Sequence, residues 1–362
     1  MPLYVASLGI GPVAWGALES AWALGMFCVE WFWGNLSDSK DRRFLLLISA
    51  LSMSAMFVLF TFRSLVPIFI VLEFVGGMLG VAAGPVTRTY ISSESTERTM
   101  GLFASLWWAS LMLGQVIGPI LGAFMAQTLS FRYSFYASSI LSLALALFVL
   151  ISFPKDERHR EKHRETNILG DLKSVLGLRY ARILFFSATL IFVGRALVIA
   201  FLPLYASKVI NMSIIQVGAL LASLYAAQLI STPALGWISD RFGLKRTAIF
   251  SYALSALLFL LYFFAKTSYQ IFLLSIALGV GLSGLFLLLA LIPTVAKSGT
   301  YGKVIGAYGS FEDLGIIIGP IIYGFIWIAY GPIYIFLACA LAQFLAAFLV
   351  LQIRTKKAKR DT

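Results

Sequence analysis

The chain has 362 residues, 60% of them hydrophobic and 12% charged, with 30 Phe, 15 Tyr and 8 Trp and a formal net charge of +12. A soluble globular domain carries about 25% charged residues, so this composition excludes a water-soluble globule, a disordered chain, a collagen-like fibre and a disulfide scaffold. Cys28 and Cys339 lie inside apolar runs, and His159 and His163 share one charged loop. No metal site, cofactor or histidine-based catalysis is therefore expected.

Apolar runs of about 18 residues or more mark transmembrane helices. In chain order they fall at 13–36, 44–62, 66–87, 100–126, 134–153, 183–206, 214–236, 247–265, 269–293, 304–328 and 331–353, eleven in all. The expected organisation is an N-terminal bundle at 1–153, a polar linker at 154–182, a C-terminal bundle at 183–353 and a basic tail at 354–362. Within the linker, Ile168, Leu172, Val175 and Leu176 fall on one helical face, which fits a surface helix or an ordinary linker helix.

Lysine and arginine set the orientation. With the loop after 13–36 placed in the cytoplasm, cytoplasmic loops and the tail hold 23 of the 28 basic residues. External loops hold Arg63, Arg132, Lys208 and Lys266, and Arg195 lies inside a span. This predicts a multi-pass protein of the cell membrane with its C-terminus in the cytoplasm. The basic tail reads as a topology anchor, and no nucleic-acid partner is expected.

The two halves align at a shift of 201 to 202 residues. Pro2-Leu3-Tyr4 matches Pro203-Leu204-Tyr205, and Gly34 to Asp38 matches Gly236 to Asp240. Gly77 matches Gly279, and Ile117-Gly118-Pro119 matches Ile318-Gly319-Pro320. Paired halves of this kind are the sequence sign of a secondary transporter whose site lies where the repeats meet.

At these residues the chain resembles the major facilitator superfamily. That family's loop after span 2 has the form G-x-x-x-D-[RK]-x-G-[RK]-[RK]. Gly236, Asp240, Arg241, Gly243, Lys245 and Arg246 match it in the second half. Gly34, Asp38, Arg42 and Arg43 match it in the first, where Ser39 and Asp41 replace the basic residue and the second glycine. Gly114, Gly118, Pro119 and Gly122 resemble the span 5 motif of drug exporters, with the final glycine replaced. The resemblance implies an all-α membrane protein, two pseudo-symmetric helical bundles and alternating access. Families of this kind have twelve spans. Pro2-Leu3-Tyr4 corresponds to the end of span 1, so most of that span is expected to be missing and the frame to extend upstream. Spans are numbered below as in the family, with 13–36 as span 2. The resemblance also implies that Asp38 holds a cytoplasmic gate, with Arg88 as its partner. The glycine stripe of span 5 is expected to let helices pack closely, and Pro119 to bend the helix. Gly279-Val280-Gly281-Leu282-Ser283-Gly284 fits a nucleotide-loop pattern but lies inside a span with no strand before it, so it is rejected as one.

Charges inside the membrane cost about 2.5–3.5 kcal/mol each and face a cavity or a partner. Glu19, Glu73, Arg195, Glu312 and Asp313 are of this kind, with Glu30 nearer the cytoplasmic edge. Glu19 and Glu30 share one face of span 2, and Glu73 shares a face of span 4 with Gly77, Gly80 and Gly84. These residues are the candidates for proton coupling, Asp313 and Glu312 foremost. Arg195 is either an anion binder or the counter-ion of the span 11 pair.

The expected function is proton-coupled export of small amphipathic or drug-like molecules by a monomer embedded in the bilayer. The alternatives are an uptake permease for a small organic anion and a truncated paralogue that transports nothing. A membrane-embedded enzyme would need reactive groups gathered at one face, and the only charge clusters are basic turns and the linker run, so no enzymatic activity is expected.

Overall fold

The computed structural model describes residues 1–39, 41–62, 65–94, 99–153, 173, 175–295 and 301–353. Among them every regular element is a helix. The linker run with its two histidines and the basic tail lie outside the described residues.

Among the described residues, eleven helices are long and apolar enough to cross a membrane. Their surfaces carry fully apolar side chains such as Leu141 (73% exposed), Ile151 (74%) and Ile230 (75%), a distribution that suits hydrocarbon and not water. Several hydroxyls and amides turn inward: Ser49, Ser54, Ser139, Ser187, Gln228, Ser275 and Gln343 are all buried. A short helix, Pro2–Ser7, comes first. Spans 2 and 3 follow as Pro12–Ser39 and Arg42–Leu59. Span 4 is broken into Val66–Gly80 and Ala83–Glu94. Spans 5 and 6 are Met100–Thr128 and Phe131–Ser152. Span 7 starts as Arg179–Ala196, widens to a π-turn at Leu197–Phe201, and resumes at Leu202–Lys208. Spans 8 and 9 are Ile214–Phe242 and Leu244–Tyr262. Span 10 is broken like span 4, into Ser268–Leu282, a 3₁₀ turn at Ser283–Phe286, and Leu287–Val295. Spans 11 and 12 are Tyr301–Ala329 and Tyr334–Leu351.

The chain divides into two compact units, Met1–Glu165 with Ser213–Ala222, and Thr166–Met212 with Ser223–Thr362. The first turns of span 8 group with the first unit because Gly218 lies against Pro119 and Ala123 and the Ile215 amide donates to Gln127.

Each unit repeats the other's internal contacts. In the first, Tyr4 meets Phe135 edge-on at 4.9 Å, and Phe60 lies 5.9 Å from Phe135. In the second, Tyr205 meets Phe336 edge-on at 4.7 Å, and Tyr262 stacks on Phe336 at 4.8 Å. A Cβ on Gly77 would strike the Trp22 carbonyl, and one on Gly279 would strike the Leu224 carbonyl. The Ser49 hydroxyl donates to the Gly80 carbonyl at 2.7 Å, and the Ser251 hydroxyl to the Gly281 carbonyl at 2.5 Å. The repeat read in the sequence is thus a repeat of packing.

Candidate functional site

In the first unit the acidic candidates come together through glycine. Glu73 sits in the first half of span 4 and is 7% exposed. Gly77 fits under Trp22, and Gly76 and Gly80 admit the side chains of Met56 and Met53. From the other helix, Gly25 has no room for a side chain beside the Phe74 carbonyl. Spans 2 and 4 therefore cross backbone to backbone. That approach brings Glu19 and Glu73 within electrostatic reach of each other. The sequence had placed each carboxylate on its own helix face. Their meeting depends on Gly25 and Gly77, whose close approaches across two helices the single-helix spacing did not reveal.

Glu30 takes as its partner the arginine expected beside Asp38. Its carboxylate accepts from Arg88 at 2.7 Å, and the same guanidinium lies 5.8 Å from the Trp107 ring centre. Arg88 thus ties spans 2, 4 and 5 and, in this structure, pairs with Glu30. The side chains of Asp38 and Gly34 lie outside the described residues, although span 2 continues as helix past both.

The two basic loops act first as helix ends. Asp41 accepts from the Arg43 amide at 3.0 Å and caps span 3, which explains its presence where the second half has glycine. Gly243 caps span 9 with φ +94°, a conformation that disfavours a side chain. Beyond the cap the loops converge. Arg43 donates to the Leu150 carbonyl at the end of span 6, and Lys245 donates to the Leu351 carbonyl at the end of span 12 at 2.8 Å. Each cation meets the negative end of a helix. Arg42 is buried, whereas Asp240 and Arg246 are exposed, and Arg241 lies over Trp237 at 4.9 Å.

The span 5 stripe packs differently from the expectation. Among the described residues, no atom of a neighbouring element lies within 4 Å of a Cβ built on Gly114, Gly118 or Gly122. The close approach uses Pro119 and Ala123 instead, and the glycine that permits it is Gly218 on span 8. Helix crossing needs a small residue on one side only, and here the partner supplies it. The helix runs unbroken from Met100 to Thr128 through Pro119.

In the second unit, spans 7 and 11 are in close register. Gly315 fits against Thr189, Phe192 and Val193, and Gly319 against Val193 and Ala196. The Thr189 hydroxyl donates to the Phe311 carbonyl at 2.8 Å, and the Tyr323 hydroxyl to the Val193 carbonyl at 3.0 Å. Residue numbers rise together on the two helices, so they run parallel. This register sets Arg195 about 9 Å farther along the axis than Glu312. Arg195 accordingly lies 6.0 Å from the Phe192 ring and makes no ion pair among the described residues. Glu312 instead lies within electrostatic reach of two tyrosines that the sequence reading passed over, Tyr252 and Tyr308, each 2% exposed. Tyr252 donates to the Gly284 carbonyl at 3.0 Å, beside the 3₁₀ break in span 10. Tyr308 stands one turn before Glu312 on span 11, an i, i+4 spacing the sequence contained.

The Major Facilitator Superfamily profile matches residues 1–181 and 184–362. This chain belongs to the Major Facilitator Superfamily. It is a multi-pass integral membrane protein and a secondary transporter. Multidrug resistance protein MdtG of Enterobacter lignolyticus is 28% identical over 94% of this chain and 84% of its own length. The protein of the same name from Klebsiella pneumoniae is 27% identical over 99% of this chain and 89% of its own. Among solved structures, the nucleoside transporter NupG superposes with a TM-score of 0.76 at 14% identity, covering 96% of this chain and 91% of that one. That likeness concerns the fold.

Proposed function

We propose that this transporter exports small amphipathic, drug-like molecules across the cell membrane by alternating access, in exchange for protons. The observation that carries the reading is the similarity, along nearly the whole chain, to proteins named for multidrug resistance. The resemblance of Gly114, Gly118, Pro119 and Gly122 to the exporter motif supports the direction. Four carboxylates inside spans, Glu19, Glu73, Glu312 and Asp313, supply groups that can carry protons. A carboxyl group crosses an apolar region as the neutral acid and ionises where water reaches it. Arg195 would bias that exchange by approaching the span 11 pair in one state and leaving it in the other. Asp38, on the family's gate position, would hold the cytoplasmic side closed. The excess of basic residues in alternate loops supports a cytoplasmic C-terminus.

Inverted membrane vesicles test the reading. On acidification of their interior, vesicles holding this protein should accumulate a fluorescent amphipathic dye, and a protonophore should release it. Dye movement indifferent to the proton gradient removes the coupling, and accumulation only in right-side-out vesicles reverses the direction.

A further inference from the structure

We propose that a groove between the arginine-bearing start of span 7 and the end of span 12 is a binding site for one anionic phospholipid. The cavity has a volume of about 530 Å³, and its lining includes Arg179, Arg182, Phe186, Leu345, Leu349 and Gln352. It lies wholly within the second unit, and two of its lining side chains are open, Phe186 at 55% exposed and Leu345 at 47%.

The groove follows from how the two helices cross. Near mid-span the Gln343 amide donates to the Ile191 carbonyl at 3.1 Å, and Gly194 leaves no room beside Gln343 and Cys339. From that tight point the cavity runs toward the start of span 7, lined by Ile183 and Phe186 on one helix and Leu349 on the other. From Leu190 to Arg179 the floor is about 16 Å long at 1.5 Å per residue. That is about half of the 30 Å hydrocarbon layer, the depth of one leaflet and one acyl chain.

The rim carries the opposite chemistry. Arg179 and Arg182 are three residues apart, so they project from one helix face. Both are exposed and neither makes an ion pair among the described residues. Arg179 opens span 7, whose first turn holds no acidic residue and whose N-cap, Leu178, offers no side-chain acceptor. The free amides and two guanidinium groups at that end favour a phosphate. Basic pockets between spans on the cytoplasmic side bind anionic headgroups by this combination. A zwitterionic lipid would place an ammonium against the arginines, and a soluble phosphate would leave the apolar floor uncovered.

The test uses the full chain, reconstituted in bilayers of equal phosphatidylglycerol and phosphatidylcholine, extracted in detergent, and weighed intact with its retained lipid. The wild type should retain phosphatidylglycerol with a preference of roughly 25-fold, the product of about fivefold for each surface arginine. The pair Arg179→Gln with Arg182→Gln should fall to near parity, and the pair Arg179→Lys with Arg182→Lys should keep most of the preference. Leu345→Trp fills the floor and leaves both arginines, so it should lose the retained lipid altogether. Free glycerol phosphate should not displace the lipid. Equal retention of both lipids by the wild type overturns the proposal. So does a preference that survives Leu345→Trp, or one that the glutamine pair leaves intact. Melting temperatures in lipid-free detergent report whether each variant is folded. Should the glutamine pair fail there, the lysine pair and Leu345→Trp still decide between the outcomes.

Discussion

Asp313 and Glu312 occupy neighbouring positions on span 11 yet face different surroundings, since successive helical residues point about 100° apart. Glu312 shares its face with the glycines that pack on span 7 and lies within electrostatic reach of Tyr252 and Tyr308. If these carboxylates carry protons, Asp313→Asn should abolish transport driven by a pH gradient while leaving expression and downhill exchange largely intact. Glu312→Gln should do the same to a smaller extent. A purely structural role would instead lower the amount of folded protein in both. Full gradient-driven transport in Asp313→Asn, Glu312→Gln and Glu73→Gln alike would falsify the carboxylate mechanism. The register of spans 7 and 11 adds a contrast. Arg195→Leu should not reduce folded protein, because the guanidinium holds no ion pair among the described residues, but it should shift the pH dependence of transport.

At the scale of the element, the same residue type has opposite weight on two helices. Gly77 lies against the Trp22 carbonyl, whereas Gly118 has open space beside it. Gly77→Ala should destabilise the protein by about 1–3 kcal/mol, as overpacked cores do, and lower its melting temperature in detergent. Gly118→Ala should melt with the wild type. If the two melted alike, the crossing of spans 2 and 4 would be wrong. The loops invite a second comparison. Asp38→Asn should impair transport more than Asp240→Asn at matched expression, and the reverse order would put the gate in the other half.

These elements also show what the sequence could reveal. The spans were legible because hydrocarbon thickness dictates run length, and their ends agree with the helices to within a few residues at most positions. The breaks at Val81–Ala82 and Ser283–Phe286 were not legible, because apolar composition continues through them and only hydrogen bonding changes. Gly114, Gly118 and Gly122 announced a packing stripe by spacing alone, but whether a glycine is covered depends on the neighbouring helix. Likewise Glu73 and Glu30 stood out as charges, while their relations to Glu19 and Arg88 arise from helix crossings.

On the scale of the molecule, the repeat carries most of the organisation. The shift of about 201 residues links the Tyr4, Phe60 and Phe135 contacts to those of Tyr205, Tyr262 and Phe336. It also links the Arg43–Leu150 cap to the Lys245–Leu351 cap. A fluorescent reporter that matures only in the cytoplasm should light up when fused after Thr362, and an alkaline phosphatase fused there should stay inactive. The opposite result would invert the orientation drawn from the basic loops.

The aromatic knots have a consequence for how the protein is made. Every ring of the first knot is encoded by residue 135, long before Tyr205 is translated. Ribosomes add roughly 5–20 residues per second, so the nascent first half has several seconds in the insertion machinery to lock Tyr4 against Phe60 and Phe135. The second half then arrives beside a finished neighbour. Swapping the order of the halves in a fused gene would reverse that schedule without changing a single side chain of either knot.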